Sequence, residues 1–121
     1  MMDAPKSLVG LSIEWTGVHH SEHGDFTDIS VHTVTYETED HCYVTAGGQR
    51  VGEAAYVYKR LDQRMGIVIY RPRAYQGRDD VVLNAMFDFH EGTDRAVLTA
   101  GGAPFAVAVG TMRVVDTAAR P

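Results

Sequence analysis

The sequence contains a single cysteine, Cys42, among its 121 residues. One cysteine cannot form an internal disulfide, and it cannot supply the several thiolates of a multi-cysteine zinc site. The chain therefore lacks the signature of a disulfide-stapled domain, and nothing in its cysteine content points to an oxidising compartment.

Positive charge is also scarce, since 11 Lys and Arg residues stand against 16 Asp and Glu, for a net charge of −5. Proteins that bind nucleic acid collect phosphates with a basic surface, so this balance argues against DNA or RNA as a partner. The sequence has no run of about 18 apolar residues, and its start, MMDAPKSLVG, has no apolar stretch of signal-peptide length. We expect no membrane partner and a cytoplasmic protein.

Hydrophobic residues make up 45% of the chain, and they recur with a period of two rather than the 3.6 of a helix. Gly-rich or Asp-rich turns separate about eight such segments, and closing them into a barrel removes exposed sheet edges. The pattern predicts one all-β domain over residues 1–121, a single antiparallel up-and-down barrel of about eight strands, with frayed termini at 1–6 and 116–121. The predicted strands are 8–15, 26–37, 41–45, 51–61, 65–71, 81–90, 95–100 and 105–115. The odd-numbered residues of the first and sixth strands should face the interior.

The segments LVG and SIEWTG, followed by HTVTY at residues 32–36, resemble the first two strands of the phenolic acid decarboxylases, which are small calycin-type barrels. A tyrosine-containing strand, then a hydrophobic strand, then one ending in FDF resembles the related MoaF-like proteins. The resemblance implies a closed barrel with a ligand cavity. Calycins also commonly pair an early Trp with a basic residue on the last strand, which implies contact between Trp15 and Arg113.

The decarboxylases act through two tyrosines on the first strand, an arginine after the second and a glutamate after the fifth. Here Trp15 and Gly17 stand at the tyrosine positions, and the glutamate position falls near Pro72. Only Arg50 is a possible counterpart of the arginine. What the resemblance implies for this chain is therefore the scaffold and its cavity rather than decarboxylation.

Tyrosine is frequent, and five of the six tyrosines fall on predicted strands. A wall of tyrosines suits a ring-bearing or polyunsaturated ligand with a few oxygens, and arginine suits a carboxylate or enolate. We predict a cavity at the barrel mouth with catalytic Arg50, Tyr58 and Arg71, and with ligand-binding Trp15, Tyr36, Tyr56, Tyr70 and Met86. For Tyr56 and Tyr58 the alternative is outward packing against a partner subunit, and for Arg71 it is a solvated loop.

Two further groups of polar residues are candidate sites. Asp88 lies between two phenylalanines, where an acid can acquire a raised pKa, but strand alternation turns it outward. The segment VHHSEHGD gathers imidazoles and carboxylates, for which a solvated loop is favoured over a metal site. Its members are His19, His20, Glu22, His23 and Asp25. We predict no metal and no cofactor.

Three classes of function fit these features. The first is an enzyme that holds a hydrophobic, aromatic or polyunsaturated small molecule and promotes a cofactor-free isomerisation, cyclisation or decarboxylation. The second is a non-catalytic carrier or sensor with the same lumen, and the third is a packed barrel that serves only in assembly. A titratable group pointing inward beside the ligand would separate the first from the second. The apolar fifth strand and the tyrosines also predict a homodimer.

Overall fold

The fold was obtained as a computed structural model, which describes residues 2–21, 24–73 and 80–115, and for residues 21 and 24–29 describes the backbone alone. Each strand is antiparallel to its neighbours, and the first pairs with the last, so that the sheet closes into an eight-stranded up-and-down barrel. The predicted fold is confirmed. The strands are β1 (Ser12–Ser21), β2 (Gly24–Tyr36), β3 (His41–Ala46), β4 (Gln49–Arg60), β5 (Met65–Pro72), β6 (Val81–Asp88), β7 (Thr93–Ala100) and β8 (Ala103–Val115).

Tight glycine turns make two of the hairpins. Gly47 and Gly48 between β3 and β4, and Gly101 and Gly102 between β7 and β8, all have positive φ, between 59° and 83°. Two consecutive residues of this kind match the twist of antiparallel strands, and L side chains rarely adopt the conformation. The GG pairs in the sequence therefore mark these two reversals. No helix long and apolar enough to cross a membrane occurs among the described residues.

The strand β1 begins later than predicted, because residues 8–11 form a turn. Gly10 has a φ of 85°, and the amide of Leu11 donates to the carbonyl of Leu8. Val9, expected on the inner face, is 41% exposed, whereas Ile13 and Trp15 are buried inside the barrel as predicted. The first strand then continues to residue 21, so that His19 and His20 lie on a strand rather than in a loop.

The N-terminal residues pack across one end of the barrel instead of fraying. Leu8 is only 1% exposed and Ala4 only 4%. The carbonyl of Ala4 accepts a hydrogen bond from Nε of Arg60, and that of Pro5 accepts one from the hydroxyl of Tyr58. We call this end the closed end. The expected frayed tail at 116–121, residues 22 and 23, and the turn around Tyr75 and Gly77 lie outside the described residues.

The indole of Trp15 lies over a pair of facing glycines, Gly17 on β1 and Gly110 on β8. A Cβ atom at Gly110 would come within 2.6 Å of Nε1 of Trp15, and one at Gly17 within 2.7 Å of its ring. The predicted contact with Arg113 is wrong. Trp15 is opposite Met112 in the register, so the next residue, Arg113, points out of the barrel and pairs with Glu14 at 2.9 Å.

Candidate functional site

The barrel encloses a cavity of about 320 Å³. One part of its wall is made of alanines that face one another across three strands, since Ala85 on β6 pairs with Ala96 on β7, which pairs with Ala108 on β8. Each of the three lines the cavity. Small side chains in register on adjacent strands leave the lumen open on this side, where larger ones would fill it.

Three of the predicted ligand-binding residues line this cavity: Trp15, Tyr36 and Tyr70. The hydroxyls of Tyr36 and Tyr70 are hydrogen bonded to each other. Burial raises the pKa of both phenols well above the ordinary value of 10.0, so both keep their hydrogens at any physiological pH. The role predicted for these residues, contact with a ligand, stays a prediction, but their position in the lumen is as expected.

Tyr56 and Tyr58 face inward but use their hydroxyls for structure. The hydroxyl of Tyr56 donates to the carbonyl of Thr38 at 2.5 Å, and its ring packs edge-on against Tyr36 with centroids 4.9 Å apart. Tyr58 donates to Pro5 at the closed end, and its ring lies against Gly66, where a Cβ atom would come within 2.7 Å. Neither is among the residues that line the cavity.

The remaining predicted site residues, Arg50, Arg71 and Met86, lie on the outside of the barrel and do not line this cavity, so their predicted place in its wall is wrong, while their roles stay predictions. The guanidinium of Arg50 stacks 3.8 Å from the ring centre of Tyr43 and contacts Glu37 at 3.3 Å. Arg71 is exposed and Met86 is 41% exposed. Both follow from strand alternation, because their neighbours in sequence, Tyr70 and Phe87, point inward and line the cavity.

Asp94, which the sequence analysis did not single out, contributes a buried carboxyl group to the lumen. It is 9% exposed, lines the cavity, and belongs to the same face of β7 as Ala96 and Leu98. Burial raises its pKa from 3.8 to about 7, and the opposing influence of Arg95 is smaller. The signal was available in the sequence. Starting the seventh strand two residues earlier than Arg95, as the structure does, puts Asp94 on the inner face by alternation.

Two buried side-chain polar atoms have no hydrogen-bond partner in the described part of the chain: Nε1 of Trp15 and Oδ1 of Asp94. Both groups line the cavity. They also approach the same backbone position, because Nε1 of Trp15 lies against Gly110 and Asp94 is paired with Gly110 across β7 and β8. Buried polar groups in folded proteins nearly always have partners, so one donor and one acceptor left over in one cavity require an explanation.

Two imidazoles extend this polar side of the cavity. The ring of His32 is tilted by 33° to that of Trp15 with centroids 5.0 Å apart, and the centroid of the His19 ring lies 5.3 Å from that of Trp15. Burial lowers the pKa of His32 from 6.5 to about 4 and also lowers that of His19. The imidazole of His32 is therefore neutral at pH 7. Within the residues that the structure describes, no group of three His, Cys, Asp or Glu side chains could hold a metal ion.

Asp88, the last residue of β6, is not among the residues that line the cavity. Its carboxylate pairs with Arg64 at 2.7 Å and accepts hydrogen bonds from the amides of His90 and Glu91. The Arg64 hydrogen bond, together with the amide bonds, lowers its pKa from 3.8 to about 2. The raised pKa considered for Asp88 is wrong, since the partners it finds outside the barrel stabilise the charged form.

A search against known proteins identifies the fold but no family. No protein-family model matches the chain, and no curated protein matches it. Among solved structures it is similar to the crystal structure of a "putative beta-lactamase" from Burkholderia vietnamiensis, with a TM-score of 0.61 and 17% sequence identity. The match covers 89% of this chain and 95% of that one. At this identity the similarity shows a shared barrel fold and nothing finer.

Proposed function

We propose that this protein binds a hydrophobic small molecule carrying an oxygen-containing group inside its barrel. The observation that carries the proposal is the pair of unpartnered polar atoms, Nε1 of Trp15 and Oδ1 of Asp94, in an otherwise largely apolar cavity. A ligand hydroxyl that accepts from the indole N–H and donates to the carboxylate oxygen supplies both missing hydrogen bonds, and a ligand carbonyl supplies the first of them. The apolar body of that ligand would lie against the alanine wall.

The size of the cavity limits the ligand. Its volume of about 320 Å³ is at the small end of the roughly 300–1,000 Å³ typical of ligand pockets. It is about twice the ~150 Å³ of an engineered apolar cavity that holds benzene. A fused two-ring compound, or a flexible chain of similar bulk, therefore fits the lumen better than a larger polycyclic one.

Binding can be followed by intrinsic fluorescence, because the single tryptophan of the chain, Trp15, lines the cavity. We expect 2-decalone, a saturated two-ring ketone, to change the fluorescence of Trp15 in a saturable manner. Its hydrocarbon counterpart, decalin, should bind more weakly, because it leaves Nε1 of Trp15 without a partner. Losing a hydrogen bond to a neutral partner of this kind weakens binding by about 1 kcal/mol, or several-fold.

A pair of matched variants tests the location. Ala96→Leu places a bulky side chain in the lumen, whereas Ala55→Leu makes the same chemical change on the exposed face of β4. We expect the first to reduce affinity for 2-decalone at least tenfold and the second to leave it unchanged. Equal affinity in both variants, or no saturable change of fluorescence in the unaltered protein, would reject binding in the lumen.

A further inference from the structure

We propose that Asp94 and the hydrogen-bonded hydroxyls of Tyr36 and Tyr70 form an acid–base site that moves the double bond of a small β,γ-unsaturated ketone into conjugation with its carbonyl. This inference rests on the proposed binding in the lumen and assigns that site a reaction and a substrate class. It is carried by the position of the three groups. One is a buried carboxyl whose Oδ1 has no hydrogen-bond partner among the described residues, the others are a tyrosine pair, and all three line one largely apolar cavity.

The three groups are close enough to interact through charge. The charge of Asp94 contributes to raising the pKa of both Tyr36 and Tyr70, although burial is the larger cause in each case. The residues come from three separate strands of the closed barrel, β2, β5 and β7, and each of them lines the lumen. A ligand in the cavity therefore has a carboxyl group and a phenol pair within its own surroundings.

The tyrosine pair can donate a hydrogen bond to a ligand. Two hydroxyls that share one hydrogen bond use one of their two hydrogens, and the second stays available to a ligand oxygen. Among the described residues no acceptor takes that second hydrogen. The N–H of Trp15 is a further donor in the same lumen. Donors aimed at an oxygen in a site of low dielectric stabilise the negative charge that develops there when a ketone becomes an enolate.

Asp94 has the properties of a proton carrier. Its Oδ1 is unpartnered, and its pKa of about 7 populates both the carboxylate and the acid at neutral pH. A group with this balance can accept a proton in one step and return it in the next. Asp88, held as a carboxylate by Arg64, cannot do so.

The reaction is balanced without a cofactor or a co-reactant. The carboxylate of Asp94 removes a proton from the carbon between the carbonyl and the double bond. The electrons of that C–H bond form a new C=C bond, and the carbonyl oxygen becomes an enolate oxygen held by the phenol and indole donors. The enolate then reforms the C=O bond, the double bond shifts into conjugation, and the γ-carbon takes the proton back from Asp94. Substrate and product are isomers, and the protein returns to its initial state.

The charge of Asp94 should control the pH dependence. The other titratable groups that line the lumen lie on β1 to β5: His19, His32, Tyr36, Cys42, Glu53 and Tyr70. Burial lowers the pKa of both histidines, raises that of Cys42 to about 12, and keeps both tyrosines protonated. Glu53 is ion-paired with Arg73 at 3.1 Å, and the lumen-facing neighbours of Asp94 on β6 and β8 are Phe87 and Gly110, which do not titrate. We expect kcat/KM to rise about tenfold per pH unit below pH 7 and to level off above it.

The test uses a β,γ-unsaturated octalone, a two-ring ketone whose conjugated isomer has its own ultraviolet absorbance. We expect the unaltered protein to accelerate the appearance of that absorbance over buffer. Asp94→Asn should reduce kcat by 100-fold or more while binding 2-decalone within threefold of the unaltered protein, because it removes the base but keeps a polar group. Tyr36→Phe and Tyr70→Phe should each reduce kcat by a smaller factor. Asp88→Asn is the control and should leave the rate unchanged.

The outcomes separate the two proposals. Saturable binding of 2-decalone with no isomerisation by the unaltered protein rejects the acid–base site and leaves lumenal binding in place. Isomerisation that survives Asp94→Asn, or that shows no change in kcat/KM between pH 5.5 and 8.5, also rejects it. Failure of 2-decalone to bind rejects the proposed function, and this inference with it. Loss of turnover in Asp94→Asn with binding retained, and a pH midpoint near 7, support it.

Discussion

Replacing Asp94 by asparagine should stabilise the protein at neutral and alkaline pH, and the gain should disappear in acid. The carboxyl is buried in the lumen, and its pKa is raised from 3.8 to about 7 because burial disfavours the charged form. The folded protein therefore binds a proton more tightly at this site than the unfolded chain does. The stability that the neutral group contributes is fully present below pH 3.8 and is lost as the pH rises through about 7.

The magnitude follows from the size of this change. Each pH unit between the unfolded and folded pKa values lowers the free energy of unfolding by about 1.4 kcal/mol, so moving from 3.8 to about 7 removes about 4 kcal/mol in total. That is a large fraction of the roughly 5–15 kcal/mol typical of folded proteins. Asparagine has a similar shape and never carries the charge, so the variant escapes this loss.

The measurement is urea unfolding of both proteins at several values between pH 4 and pH 8.5, followed by the fluorescence of the single tryptophan. The useful quantity is the difference in the free energy of unfolding between the variant and the unaltered protein at each pH, because the contributions of all other titrating groups cancel in it. We expect that difference to grow from its value at pH 4 by up to about 4 kcal/mol and to level off above pH 7. Asp88→Asn is the matched control: its pKa is lowered to about 2, so the charged form is the stabilising one, and this variant should be less stable than the unaltered protein by an amount that stays nearly constant between pH 4 and pH 8.5.

A difference between Asp94→Asn and the unaltered protein that is constant from pH 4 to pH 8.5 would refute the reasoning. It would mean that Asp94 titrates near its ordinary pKa and that its carboxyl is in contact with water. A difference that shrinks with rising pH would show a stabilising partner for the carboxylate in the lumen.

Three other predictions follow from the packing. Leu8→Ala should lower the free energy of unfolding by about 2–5 kcal/mol, because Leu8 is 1% exposed under the closed end, and a cost below 0.5 kcal/mol would show that the end is not sealed. Gly110→Ala should lower the free energy of unfolding by about 1–3 kcal/mol and alter the fluorescence of Trp15, because the new Cβ atom would lie within 2.6 Å of the backbone and of the indole. The control is Gly52→Ala, whose Cβ atom would have no neighbour within 4 Å, and it should change neither quantity. The predicted homodimer should sediment at twice the 13.3 kDa of the chain and dissociate in Val97→Asp, since Val97 is 41% exposed on an apolar outer face; a 13.3 kDa species at micromolar concentration would contradict it.

The fold could be predicted from the sequence because its two signals are local. Alternation with a period of two marks each strand, and Gly-rich or Asp-rich turns mark most reversals. The pairs at 47–48 and 101–102, for example, occupy positive φ as tight hairpins require. Strand ends were less accurate, since LVGL, which reads as the start of the first strand, forms a turn around Gly10.

The residues that line the cavity were predicted only in part, because a shift of one residue along a strand moves the side chain to the opposite face of the sheet. Tyr36 and Tyr70 were placed correctly, but Arg71 and Met86 adjoin inward residues and must therefore point outward. The predicted contact between Trp15 and Arg113 is wrong for the same reason. A residue type suited to a ligand, such as arginine for a carboxylate, does not mark a lining residue where strand alternation turns the side chain outward.

Asp88 and Asp94 show why the chemistry of a carboxyl group depends on its surroundings more than on its sequence neighbours. Asp88 stands between two phenylalanines and looks like the perturbed acid, yet it pairs with Arg64 and its pKa falls to about 2. Asp94 stands beside Arg95 and looks like half of a surface ion pair, yet it faces the lumen and its pKa rises to about 7. The guanidinium of Arg95 donates to the carbonyls of Asp94 and Gly110, and Oδ1 of the Asp94 carboxyl has no hydrogen-bond partner among the described residues. A buried carboxyl group with an unpartnered oxygen, in a cavity that also holds an unpartnered indole N–H, has the arrangement expected of a functional group.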